Sequence, residues 1–137
     1  MAVWRRRAAE LFPELRRNLN SRHYTIYSLF TDLRGILEDA HEASNGEALT
    51  AIYGFAEWCL KQKELNNAAA VAFYEHLFQL SQPYWPAIVA RLSPQVVQEV
   101  WPLWEWLLKP DQFAELQKSL QRSGKPIRSV RGPKALG

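Results

Sequence analysis

A single cysteine in 137 residues, Cys59, leaves no partner for an internal disulfide and no second thiolate for a metal site. A reducing, cytoplasmic setting is the expectation. Long apolar runs are missing too: the longest, Ala68 to Tyr74, is far short of the roughly 20 residues that cross a bilayer. The N-terminal stretch MAVWRRRAAELFPEL has arginines but is interrupted by Glu10, Pro13 and Glu14, so no export signal is visible. The six glycines never gather into a phosphate-binding loop, and no serine stands in a Gly-x-Ser-x-Gly elbow. Val, Ile and Thr nowhere alternate with polar residues, which removes strands from the expected architecture.

What is present is ordinary for a folded chain, with 47% apolar and 23% charged residues, but aromatic residues reach 12% and include six tryptophans. The net charge of +3 hides an asymmetry. Residues 1–22 hold six arginines against Glu10 and Glu14, and residues 123–137 hold four basic and no acidic side chains. Between them, residues 23–122 hold seven basic against twelve acidic ones. Phosphate binding needs a continuous positive face, so an acidic middle disfavours nucleic acid as the partner and favours a basic protein. Contact with nucleic acid through the basic ends is the weakest of the readings.

Helical periodicity fills the chain. Leu49, Ile52, Tyr53, Ala56, Cys59 and Leu60 fall on one stripe over 47–62, with Asn45-Gly46 breaking the chain ahead. Phe55 and Trp58 lie off the stripe, which predicts a central helix with two apolar faces. Over 21–41, Ser21 is the expected cap for a stripe of Ile26, Phe30, Leu33, Leu37 and Ala40. Asn66 or Asn67 is expected to cap a helix running to about Leu80. Pro83 and Pro86 open a short helix to Leu92, Ser93-Pro94 and Lys109-Pro110 begin two more, and Pro102 predicts a kink or division near Trp101. One or two helical turns are expected around Pro13. With no fixed internal period, the expected fold is all-α, a single compact bundle of five to seven helices over 1–122 followed by a flexible basic tail, 123–137.

Chemistry-bearing clusters are few. Glu38, His41 and Glu42 share a helix face, but the second Glu-x-x-His of a carboxylate-bridged metal bundle is missing, so Glu38 to Glu42 is read as a solvated helix end and no metal or cofactor is expected. Cys59 belongs to a buried stripe and is expected to be inert. Trp101, Trp104 and Trp106 with Leu103, Leu107 and Leu108 offer more apolar surface than one helix face can hide, and Tyr84-Trp85 adds to it. Most of these indoles are expected in the core, with a subset left outside to anchor a partner.

The segment from Leu65 to Leu77, with Asn67-Ala68 opening a Val71-x-Phe73-x-Glu75-His76-Leu77 helix, resembles the core motif of a family of small uncharacterised bacterial all-helical proteins. Phe12-Pro13-Glu14-Leu15 resembles the Phe-Pro element of that family; the likeness spans roughly residues 10–80 and leaves 84–122 unmatched. Some members look immunity-like in size and context, which implies neutralisation of a toxin. Within the motif, Glu75 has apolar neighbours and needs solvent or a cation, Arg34 and Arg91 being the candidates.

The leading expectation is therefore a non-enzymatic, protein-binding, immunity-like helical protein whose acidic middle faces a basic partner, with Glu75, His76, Trp58, Trp85 and Trp104 as binding residues. The alternative is a bundle that binds or hydrolyses a small molecule in an aromatic pocket lined by Trp58, Tyr53 and Trp104, with Glu75 and His76 as its polar members.

Overall fold

Eight α-helices and three 3₁₀ turns make up the computed structural model, which describes residues 2–126, and no strand occurs among those residues. The helices are α1 (Val3–Leu11), α2 (Arg16–Leu19), α3 (Ile26–Glu42), α4 (Gly46–Leu60), α5 (Asn66–Ala72), α6 (Trp85–Ala90), α7 (Pro94–Leu107) and α8 (Pro110–Arg122). All-α architecture is thus observed, with one helix more than the expected upper limit. The excess comes from the N-terminus. Ala8, Phe12, Leu15 and Leu19 are buried at helical spacing across Pro13, so that proline begins a 3₁₀ turn, Pro13–Leu15, between two helices and ends nothing else.

The chain divides into two compact units, Met1–Tyr74 and Glu75–Gly137. In the first, α4 is central and packs on α1, α3 and α5. The whole predicted stripe of α4 is buried, and Phe55 on its second face is 1% exposed. Phe55 receives Phe12 edge-on at 5.8 Å and Phe30 at 5.9 Å, and Phe30 continues to Phe73 at 5.7 Å, so four rings tie the Phe-Pro element, α3, α4 and the end of α5 together. Asn45 caps α4 by accepting from the Ala48 amide, as its place before the helix requires.

Two expected caps are corrected. The cap of α3 is Thr25, which accepts from the Ser28 amide while the Ser28 hydroxyl accepts from Thr25; Ser21 instead closes a turn through its carbonyl. Neither Asn66 nor Asn67 caps α5. The amides of Leu65 and Asn66 both bond to the Gln62 carbonyl, so the chain enters α5 from a turn, whereas an asparagine cap needs extended backbone. Nor does α5 reach Leu80. It stops at Phe73 (φ −121°, ψ −68°), and a 3₁₀ segment, Tyr74–Gln79, follows. Phe73, Tyr74, Leu77 and Phe78 are all buried, a broader apolar surface than one α-helical stripe carries.

In the second unit, Phe78 is the hub: Trp85 meets it edge-on at 5.2 Å and Trp104 at 5.1 Å. Ser93 caps α7 by accepting from the Val96 amide, and α7 runs as one element through Pro102. Pro102 is exposed, so water can serve the Gln98 carbonyl that proline leaves without its donor. α8 packs on α6, burying Leu116 and Leu120. Lys125, within the 123–137 stretch expected to be a flexible tail, donates its Nζ to the carbonyls of Val89 and Ala90 at 2.9 and 3.3 Å; residues 127–137 of that stretch lie outside the described residues.

Candidate functional site

The sequence-derived binding residues fall into different environments. Trp85 and Trp104 are 2% and 1% exposed, and the Trp85 indole donates to the Leu80 carbonyl at 2.9 Å, so both serve as packing around Phe78. Tyr53 is buried and shares a 2.8 Å hydrogen bond with His41 Nε2. His41 itself is 5% exposed, which corrects the reading of Glu38 to Glu42 as wholly solvated: the carboxylates of Glu38, Asp39 and Glu42 are outside, and the imidazole turns inward to Tyr53. Glu75 and His76 stand half-buried on the 3₁₀ segment, where His76 Nδ1 donates to Gln79 Oε1 at 3.0 Å. Of the five, Trp58 alone lines a surface hollow among those described here. The most exposed indole is Trp106, at 76%, beside Leu107.

The arginine triplet is put to structural use. Arg5 reaches over α2 and donates to the carbonyls of Leu19 (2.8 Å), Ser21 (3.1 Å) and Tyr24, holding the α2–α3 connection with one planar fork. Its guanidinium also lies 4.6 Å from the Trp4 ring, and that of Arg7 lies 4.3 Å from the Trp58 ring. Tyr24 in turn donates its hydroxyl to the Asp32 carboxylate. Burial, with that carboxylate second, pushes the Tyr24 hydroxyl above its ordinary range. Burial likewise pushes the Cys59 thiol up to about 12, against a small opposing pull from Arg7. A thiol so placed is no nucleophile near neutral pH. Among the described residues no group of three or more His, Cys, Asp and Glu side chains could hold a metal ion.

Two hollows in the first unit carry the remaining chemistry. One, of about 350 Å³, lies where Phe12 and Pro13 face Ile36 of α3 and Ala48, Ala51 and Ile52 of α4. Its floor is apolar, and its charged members among the described residues are Glu14 and Glu47. Glu47 sits in the first turn of α4, where the helix dipole favours a carboxylate, and Glu38, Asp39 and Glu42 are exposed near the end of α3. The other hollow, of about 320 Å³, has Trp4, Trp58, Val3 and Leu65 as its wall and Gln62 and Glu64 as its polar members.

Sequence reasoning missed Trp4, Glu14 and Glu47 as site residues. Glu14 was legible only as part of the Phe-Pro motif and Glu47 only as a helix-start charge, because nothing along the chain says that residues 12–14 and 47–52 meet. No helix among the described residues is long and apolar enough to cross a membrane. Comparison with known proteins found no curated protein and no solved structure that matches the chain. One family model does match, over residues 5–109, taking in the Phe-Pro element, the Asn-Ala motif and all of α7. The chain belongs to that family, the domain of unknown function DUF7674.

Proposed function

We propose that this chain acts by binding another protein, makes or breaks no covalent bond, and takes as its partner a basic, partly apolar segment. One observation carries the reading: the hollow beside Phe12-Pro13 joins an apolar floor to a rim whose charged groups are carboxylates. Such a rim draws cationic side chains from a distance, and their methylene stems then cover the floor. The exposed Glu38, Asp39 and Glu42 extend the same field. The particular form of the proposal is immunity-like neutralisation, in the bacterial cytoplasm, of a basic toxin domain. Steric occlusion of the toxin would do the work, and electrostatic steering would speed the encounter. Trp106, a large and strongly exposed indole, supports partner contact on a second surface.

A basic amphipathic peptide of lysine and leucine, set against its glutamate counterpart, tests the reading by calorimetry. Binding of the lysine peptide alone, weakened by added salt and abolished in a Glu14→Lys/Glu47→Lys double variant that still folds, is the expected result. Equal binding of the glutamate peptide, or no loss in the double variant, overturns it. A second reading, a bundle that binds a small molecule in an aromatic pocket, is favoured by the hollow that Trp58 lines with Trp4.

A further inference from the structure

The hollow between the start of α1 and the end of α4 has the chemistry of a cation receptor. Trp4 and Trp58 contribute indole surface, Val3 and Leu65 close the wall, and Glu64 is the ionisable member among the described residues. Among the described residues, no cationic side chain lines it. Gln62 spends its amide Nε2 on the Trp58 carbonyl at 3.1 Å, so its donor end is already occupied. Both indoles demonstrably hold cations: the Arg5 guanidinium lies 4.6 Å from the Trp4 ring and the Arg7 guanidinium 4.3 Å from the Trp58 ring. Neither arginine is among the residues that line the hollow.

We propose that this hollow binds an N-methylated ammonium group, quaternary above all, carried either by a small choline-like molecule or by a methylated lysine side chain. The walls decide the class. A primary ammonium is a compact, strongly hydrated charge, and walls of indole, Val3 and Leu65 give it little in place of that water. A quaternary ammonium donates no hydrogen bond, sheds its water readily, spreads its charge over methyl groups, and is attracted to the electron-rich faces of indoles. Glu64, exposed at the edge, adds attraction without having to be desolvated. A volume of about 320 Å³ is within the range of small-molecule pockets and accommodates a trimethylammonium head with its first methylenes.

The test is a titration of the full chain with tetramethylammonium and choline, followed by tryptophan fluorescence and calorimetry, beside the neutral carbon isostere of choline, dimethylbutanol. The expected result is saturable binding of both cations, about tenfold tighter than the isostere. Glu64→Gln, an exposed change, is expected to weaken binding a few-fold with the fold intact, and Trp58→Phe to lose most of the fluorescence response. A trimethyllysine peptide against its unmodified lysine form separates the two sources: tighter binding than choline assigns the protein source, weaker binding the small molecule, and either supports the site. The Glu14→Lys/Glu47→Lys variant is expected to bind tetramethylammonium unchanged, which keeps this test separate from the docking surface. No saturable response to either cation, or an isostere that binds as well as choline, overturns the proposal.

Discussion

At residue scale, single side chains hold the connections that the helices leave open. Arg5 satisfies three backbone carbonyls between Leu19 and Tyr24, and only a planar fork of donors spans them at once. Arg5→Lys is expected to destabilise the fold by about 1–3 kcal/mol and to speed amide exchange over 19–24, read by hydrogen exchange. Cys59 makes a prediction in pH. Its thiol is buried and its proton is held up to about 12, against 9.0 for the free group, so as pH rises above 9 the unfolded chain loses that proton first. The unfolded state then binds fewer protons than the folded one, and stability falls between about pH 9 and 12. At pH 10 the loss from this group is on the order of 1 kcal/mol, and urea unfolding of Cys59→Ala should show a correspondingly flatter dependence on pH. The position of Cys59 on a buried stripe was legible from spacing alone; the inward turn of His41 was not, because its partner Tyr53 stands on the next helix.

At the scale of elements, the helices owe their ends to local chemistry and their middles to packing. The Thr25–Ser28 box starts α3, and Thr25→Ala should cost about 1 kcal/mol in thermal or chemical unfolding. Inside α3 and α4, Gly35 and Gly54 are exposed, and a methyl group built on either meets nothing within 4 Å. Gly35→Ala and Gly54→Ala are each expected to stabilise by about 0.5–1 kcal/mol, since alanine restricts the unfolded chain and strains nothing in the folded one. The cap at Ser93 and the proline starts at Pro86, Pro94 and Pro110 were readable in the sequence because each acts on its own first turn. The end of α5 at Phe73 was not, since the spacing of Phe73, Leu77 and Leu80 suits a continuous helix equally well.

At the scale of the whole molecule, the tryptophans divide the apolar surface into interior and exterior. Trp85, Trp101 and Trp104 are at most 2% exposed, whereas Trp106 is 76% exposed. Trp104→Ala is expected to cost about 3–5 kcal/mol, and Trp106→Ala to stay within about 0.5 kcal/mol. Collisional quenching of fluorescence should fall markedly in Trp106→Phe while its unfolding midpoint holds. The six tryptophans announced that some indole had to remain outside, but Trp104 and Trp106 are two residues apart and nearly opposite on one helix, so which of them faced water depended on what packed against α7.

The amino-acid sequence by itself determined that this protein is helical, where most of its helices begin, which stripe of each seeks an interior, and that its charge is basic at both ends and acidic between them. These follow from short-range rules: periodicity of 3.6, capping hydrogen bonds and the geometry of proline act within a turn or two of chain. Tertiary structure alone decided that Phe12-Pro13 meets α3 and α4 under a rim of carboxylates, that Trp4 joins Trp58 in one hollow, and that His41 turns to Tyr53. Each of those juxtapositions joins residues twelve or more positions apart, and chain connectivity places no bound on such distances until the apolar stripes find their partners.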